Sequence, residues 1–248
     1  MFDIHNHIIP GIDDGAQSVC DALNMMHKAV ESGITHLVCT PHIHPGRFDN
    51  NLQIIQQAFD GFCNLPEVKE IPLKLAMSAE VRLSDELLIL HRQQQLPFIG
   101  QWNEQRVLLL ELPHNQIPVG LFPLLFWMKR QNIRPLIAHP ERNKALMRKP
   151  ETMIDLVDQG ALLQITAASV TGEFGRSSET TAHWILDRKL VFCLASDAHN
   201  PVHRPIRLKE ARDVVVKQYG AEYARQLVKV NPELMTLCLF GELHTHES

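Results

Sequence analysis

The sequence predicts an α/β fold of one domain spanning 1–248, and three observations carry that reading. Short β-rich runs alternate with helical patterns along the chain. The strand runs are rich in apolar residues and free of strict alternation, the pattern of parallel strands covered on both faces. No repeat, low-complexity tract or Gly/Ser linker divides the chain. A closed or distorted TIM-like barrel of about seven βα units is the simplest architecture, and an open doubly wound sheet is the competitor.

The expected strands are 2–5, 34–40, 73–81, 106–112, 134–138, 162–166 and 190–195. Helices are expected at 18–32, 51–63, 84–94, 118–131, 150–159 and 177–188, with two or three more in the 206–248 segment. Ser84-Asp85-Glu86 is suited to cap a first turn, and Gly33 and Gly160 stand where a helix should stop. The brief proline-rich patches at 113–123 and 201–205 read as βα loops.

Composition narrows the function classes. The chain has 248 residues, of which 45% are apolar, enough for a large core. A net charge of -4 gives no basic footprint for nucleic acid and no acidic tail. No apolar run is long enough to span a bilayer, and "MFDIHNH" lacks the charged and apolar regions of a secretory signal. The five cysteines (Cys20, Cys39, Cys63, Cys193 and Cys238) are scattered and odd in number, which fits reduced thiols. A cytoplasmic protein without membrane insertion is therefore expected. The unusual quantity is histidine, 14 residues, several beside carboxylates.

Those histidines and carboxylates fall at one kind of place. His5 and His7 end the first strand run, and Asp14 lies in the loop after it. His42 follows the second, Glu80 ends the third and Glu111 the fourth. His139 follows the fifth, and Asp197 and His199 follow the seventh. In a barrel, the C-terminal ends of parallel strands converge on the face where active sites are built. Nine groups with metal-ligand chemistry exceed what one ion needs and suit two or three. Alternate strand residues point the same way, so His5 and His7 can reach one ion together. Glu80 and Glu111 interrupt apolar runs; their bland explanation is a buried ion pair with an arginine such as Arg82. By contrast, His27, His36, His91, His183, His244 and His246 read as surface or hydrogen-bonded core histidines.

The stretch "CTPHIHPGR" raises a competing chemistry, a nucleophilic Cys39 with Arg47 cradling phosphate. Seven residues separate Cys39 from Arg47, and two are prolines, which remove amide donors that such a cradle needs. Cys39 also ends an apolar strand, where a thiol stays buried and neutral. It reads as inert. Arg47, with Phe48, reads either as part of the pocket mouth or as an exposed loop arginine.

Taken together, "DIHNHIIPGIDDG", "TPH", "AEVR", "AHPERN" and "SDAHNPVHRP" resemble the PHP (polymerase and histidinol phosphatase) family of metal-dependent phosphoesterases. The likeness is to its bacterial tyrosine-phosphatase branch, linked to capsular and exopolysaccharide synthesis, and runs from residue 2 to about 205. It implies a distorted (β/α)7 barrel and three divalent ions, usually manganese, with zinc or iron also compatible with the N/O donor set. Residue by residue, it assigns His5, His7, Glu80 and Asp197 to one ion. Glu80, Glu111 and His139 go to a second, and Asp14, His42 and His199 to a third. Arg142 and Arg204 match arginines that act on the phosphate. The sequence departs from the branch at "TPHIH", where "TPHH" is common; only His42 keeps its offset from Thr40, and His44 reads as a rim residue.

The activity so implied is hydrolysis of phosphotyrosine by a metal-activated hydroxide. The substrate implied is an autophosphorylating tyrosine kinase of polysaccharide export. Three rivals stand beside it: a small-molecule phosphatase such as one for histidinol phosphate, an amidohydrolase, and a catalytically silent phosphoprotein-binding module. Oligomeric state is not legible.

Overall fold

The computed structural model describes residues 1–241. Ten strands form in chain order: β1 (Phe2–Asp3), β2 (His36–Cys39), β3 (His42–Ile43), β4 (Lys74–Met77), β5 (Glu80–Arg82), β6 (Phe98–Trp102), β7 (Gln105–Glu111), β8 (Ile133–Ala138), β9 (Leu162–Thr166) and β10 (Cys193–Ala195). They make a three-stranded sheet, β1-β2-β4, and a second sheet of order β10-β9-β8-β7-β5-β3 with β6 added beside β7. Every pairing is parallel except β6 with β7. The strand order of the larger sheet runs steadily through the chain, without the reversal that marks a doubly wound sheet.

The mixed α/β architecture and the parallel sheet agree with the sequence. The ladders themselves define two sheets, not one closed barrel. A single parallel bridge, Asn6 to Ala198, joins the end of β1 to the end of β10. The expected strand 73–81 is in fact two: Lys74–Met77 pairs with β2, then the chain steps at Ser78-Ala79 and Glu80–Arg82 pairs with β3 and β7. That step has a functional result, because it sets His42 directly opposite Glu80.

The strand β6 is absent from the sequence reading. It enters as a hairpin with β7, through Asn103 and Glu104 at φ 48° and 64°, a turn whose two left-handed residues match strand twist. Gly100 in β6 sits at φ 140°, and a Cβ there would collide with the Met235 carbonyl group. This glycine lets the C-terminal helix Asn231–Thr236 lie against the hairpin.

Both faces of the sheets are buried, which explains why the apolar strand runs lack strict alternation. On β7, Val107 and Leu109 join an inner cluster with Phe2, Ile4, Val38 and Leu136, while Leu108 and Leu110 join the outer core under the helices. The helix Val19–Glu31 shows how the outer layer is specified. Ser18 accepts a hydrogen bond from the Asp21 amide at its start, and Ala22, Met25, Met26 and Ala29 bury one face. It stops before Gly33, at φ 79°. One expectation fails here: Asp85 stands at the N-cap of Glu86–Arg92 but its side chain makes no cap hydrogen bond. Among the described residues, no helix is long and apolar enough to cross a membrane.

Candidate metal centre

Parallel strands end on the same side, so the residues at their C-terminal ends meet. His5, His7 and Glu80 are fully buried, and Asp197 and His199 nearly so. His7 Nε2 lies 3.3 Å from His5 Nε2. Glu80 Oε2 is 3.2 Å from His5 Nε2 and 3.4 Å from His7 Nε2, and Asp197 Oδ1 is 3.5 and 3.4 Å from the same two atoms. A second group gathers His7, Asp14, His42 and His199, and a third His42, Glu80 and Glu111; within each group the donor atoms lie within 4.8 Å of one another. All nine residues singled out from the sequence fall in or beside these groups. The composition differs in two ways from that implied by resemblance. His42 stands with Glu80 and Glu111, whereas His139 joins none of the groups, bonding Glu80 at 2.8 Å and packing beside the His5 ring among the described residues. His7 also borders the Asp14, His42 and His199 group.

Glu111 makes the arginine ion pair weighed as its bland explanation. Its Oε1 pairs with Arg82 at 3.0 Å, while Oε2 is buried with no hydrogen-bond partner among the described residues. Glu80 has no arginine partner among the described residues, so the ion-pair explanation does not apply to it.

Local backbone geometry aims these groups. His139 and Asp197 both adopt left-handed conformations, at φ 35° and 49°. Asp and His tolerate that region better than most residues, and such strain gathers at functional sites. Gly15, in "DDG", carries another constraint: a Cβ there would lie 2.5 Å from the His7 Cβ and closer still to its carbonyl oxygen. Only glycine permits the loop to close over His7.

Three supporting residues were not foreseen. Asp13 Oδ2 accepts from His7 Nδ1 at 2.7 Å and from the His42 amide, while its Oδ1 accepts from the Gly15 amide. Gln164 Oε1 is 2.7 Å from His5 Nδ1. Asp3 accepts two bonds from Ser196 and is pushed up to about 6 by burial. The first two fix the imidazoles: an Nδ1 proton given to Asp13 or Gln164 leaves Nε2 as a lone pair facing the centre. The doublet Asp13-Asp14 was the available signal for Asp13. Nothing in the sequence marks Gln164, which sits mid-strand on β9.

The charges are mutually dependent. Burial alone would raise Glu80 and Asp197, yet the histidines around Glu80, and Arg204, His5 and Arg142 around Asp197, hold both carboxyls well below the usual range. Burial would lower His7, but the Asp13 carboxylate holds it well above its ordinary value. His199 is pushed down to about 4, by burial first and then by the His7 charge, so it is neutral at pH 7.

Two guanidinium groups rim the centre. Arg142 and Arg204 both donate to Asp197 Oδ2, the Arg204 bond at 2.7 Å. Their side chains are 21% and 25% exposed, which leaves donors open toward solvent. Phe174 lies beneath both, its ring centre 4.4 Å from the Arg142 guanidinium and 5.7 Å from that of Arg204. Arg47 pairs with Asp14 at 3.2 Å and covers Phe48, which stacks on His42. Thus Arg47 belongs to the mouth, although its side chain is 60% exposed. His44 packs edge-on against His42 and Phe48 and joins no donor group. Cys39 is fully buried, its thiol pushed far up by burial, so it is no nucleophile. Of the histidines read as ordinary, His183 bonds the Tyr219 hydroxyl, and His27, His36 and His91 join no donor group; His244 and His246 lie outside the described residues.

Residues 1–236 match the family described as "Capsular polysaccharide synthesis, CpsB/CapC". CapC of Staphylococcus aureus is 34% identical over 223 residues, covering 90% of this chain and 86% of CapC. The Bacillus subtilis tyrosine-protein phosphatase YwqE is 32% identical over 235 residues, covering 95% of this chain and 91% of YwqE. A solved structure from work on YwqE and on CpsB from Streptococcus pneumoniae, described as unique metal-dependent tyrosine phosphatases, superposes with a TM-score of 0.88 at 32% identity, covering 96% of this chain and 94% of that one. The chain belongs to the CpsB/CapC family.

Proposed function

We propose that the chain is a metal-dependent protein-tyrosine phosphatase. Its substrate in this reading is a phosphotyrosine protein, a tyrosine autokinase of capsule or exopolysaccharide synthesis in the cytoplasm. The names carried by YwqE and CpsB support the activity. The observation that carries it for this chain is the convergence of buried nitrogen and carboxylate oxygen atoms on one another. His42 Nδ1 and Glu80 Oε2 are buried and 3.1 Å apart, yet among the described residues neither has a hydrogen-bond partner. Around His5, His7, Glu80 and Asp197, five donor-to-donor separations run from 3.2 to 3.5 Å. A tetrahedron of that edge has its centre about 2 Å from each corner, the bond length of a divalent cation to nitrogen or oxygen. The residues therefore fit a metal.

His5, His7, Glu80 and Asp197 would hold one ion. Glu80 and Glu111, with His139 and His42 beside them, would hold a second, and Asp14, His42 and His199 a third. The donor set suits manganese, zinc or iron, with manganese the first candidate. Bound divalent cations lower the pKa of water toward neutrality and offset phosphoryl charge. Asp13 and Gln164 keep the His7 and His5 lone pairs turned inward. Arg142 and Arg204, with open donors beside Asp197, receive the phosphoryl oxygens; a planar guanidinium binds two at once and stays charged. Tyrosinate, with a pKa near ~10, leaves without a strong general acid. We further infer that the two sheets, joined by the Asn6–Ala198 bridge, form a distorted (β/α)7 barrel of one domain. A phosphotyrosine peptide, histidinol phosphate and a cyclic amide, each assayed with manganese, test the activity. Turnover of the peptide by orders of magnitude over the other two is expected; preference for either of the others would overturn the proposal.

A further inference from the structure

Beside the candidate metal centre, and sharing Arg142 with it, lies a cavity of about 950 Å³. Its wall includes Arg142, Lys144, Arg148, Arg176, His114 and Phe174, and among the described residues no acidic one lines it. Among the described residues, neither Lys144, Arg148 nor Arg176 pairs with a carboxylate; Arg148 reaches only the Asn115 carbonyl oxygen, at 3.5 Å. Four cations therefore gather in one concavity of a chain whose net charge is -4. Unpaired cations in a concave wall focus a positive field and attract anions.

The frame of this cavity is fixed. Asn143 Oδ1 accepts from the amides of Ala145 and Leu146, which starts the helix Lys144–Arg148. Its Nδ2 donates to the carbonyls of Pro113 and Gln116, tying the 113–116 loop to the same helix. On the other side, Ser178 donates to the Glu141 carbonyl and anchors the helix Arg176–Asp187. His114 is held below its ordinary value, by burial and then by the Arg142 and Lys144 charges, as a positive field requires.

Arg142 belongs to both places. Its guanidinium bonds Asp197 at the metal centre, and the same residue lines the cavity with Phe174 under it. The wall therefore begins at the arginine that a phosphotyrosine would reach, within range of the residues next to it.

We propose that the cavity is a specificity subsite for acidic residues flanking the phosphotyrosine of a peptide substrate, read by Lys144, Arg148 and Arg176. This rests on the phosphatase reading above and adds to it a substrate class. The volume suits several residues, since ligand pockets run to roughly 1,000 Å³. Phe174 and Met147 give the peptide backbone an apolar floor between the charges.

The test compares phosphotyrosine peptides with Glu, Gln or Lys at the flanking positions, using manganese-loaded protein. p-Nitrophenyl phosphate, which has no flanking residues, reports the phosphate site alone. The wild type is expected to favour the Glu peptide over the Gln peptide roughly tenfold in kcat/KM, through KM, as two or three exposed ion pairs supply. Raising salt should shrink that ratio. In a folded Lys144→Glu/Arg176→Glu variant the preference should invert toward the Lys peptide, relative to p-nitrophenyl phosphate. A wild-type ratio near one, or a preference unchanged by charge reversal, overturns the subsite. Failure of the loaded wild type to hydrolyse any of these esters overturns the phosphatase reading instead. The subsite is then judged by fluorescence anisotropy with a labelled, unphosphorylated Glu-rich peptide: salt-sensitive binding lost in the variant supports it, and equal binding by both proteins overturns it.

Discussion

Asp197→Asn probes the centre with the least ambiguity. Position 197 has φ 49°, a region that Asn occupies as readily as Asp, so the backbone is undisturbed. The change removes one charge and little volume. Asp197 Oδ1 faces His5, His7 and His199, and Oδ2 accepts from Arg142 and Arg204. Breaking a buried ion pair costs about 3–5 kcal/mol. The arginines here are 21% and 25% exposed and can turn toward water, so the lower bound, about 3 kcal/mol, applies. For a chain of 248 residues that lowers Tm by about 6–12 °C. Activity should fall far more than stability. Loss of a residue behind a metal ligand already costs about 10–100-fold, so loss of the ligand carboxylate should exceed ~100-fold. Circular dichroism melting, metal content by elemental analysis and turnover of a phosphotyrosine peptide read the three effects separately. A variant that melts as expected but keeps near wild-type turnover and metal content would refute the assignment of Asp197 to the centre.

Other predictions follow from the same geometry. Cys39→Ser should keep phosphatase activity within a few-fold, because the buried thiol touches no reacting group; complete loss in a folded variant, measured with p-nitrophenyl phosphate, would restore the nucleophile reading. Asp13→Asn, which weakens the partner of His7 Nδ1, should reduce metal affinity about 10–100-fold, read by competition with a chelating dye; unchanged affinity would show that Asp13 is only structural. Because Asp13 holds His7 well above its ordinary value, the metal-free site carries a proton at pH 7 that the ion must displace. Manganese uptake should therefore release protons and weaken as pH falls, and calorimetry in buffers of different ionisation enthalpy would contradict this if the apparent enthalpies agreed.

Much of the centre was legible because its chemistry conflicts with its surroundings. Glu80 and Glu111 stand out inside apolar runs, and the alternation of His5 and His7 announces a shared direction on a strand. What stayed hidden depends on tertiary contacts that no local pattern encodes. Gln164 is one polar residue in the middle of β9, and its bond to His5 spans 159 positions. The step between β4 and β5 was hidden because no glycine or proline interrupts 73–81, so nothing marks a change of partner. The strand Phe98–Trp102 was missed for a different reason: the turn that joins it to β7 is Asn103-Glu104, and Glu rarely occupies a left-handed turn position. The basic cavity escaped too, because Lys144, Arg148 and Arg176 come from two separate helices.

Anomalous diffraction from crystals of the chain soaked in manganese tests the central claim most directly. The account predicts an ion enclosed by His5, His7, Glu80 and Asp197, with further ions beside Glu111 and His139 and between Asp14, His42 and His199. Absence of any anomalous peak among His5, His7, Glu80 and Asp197, in protein that still hydrolyses phosphotyrosine, would contradict it.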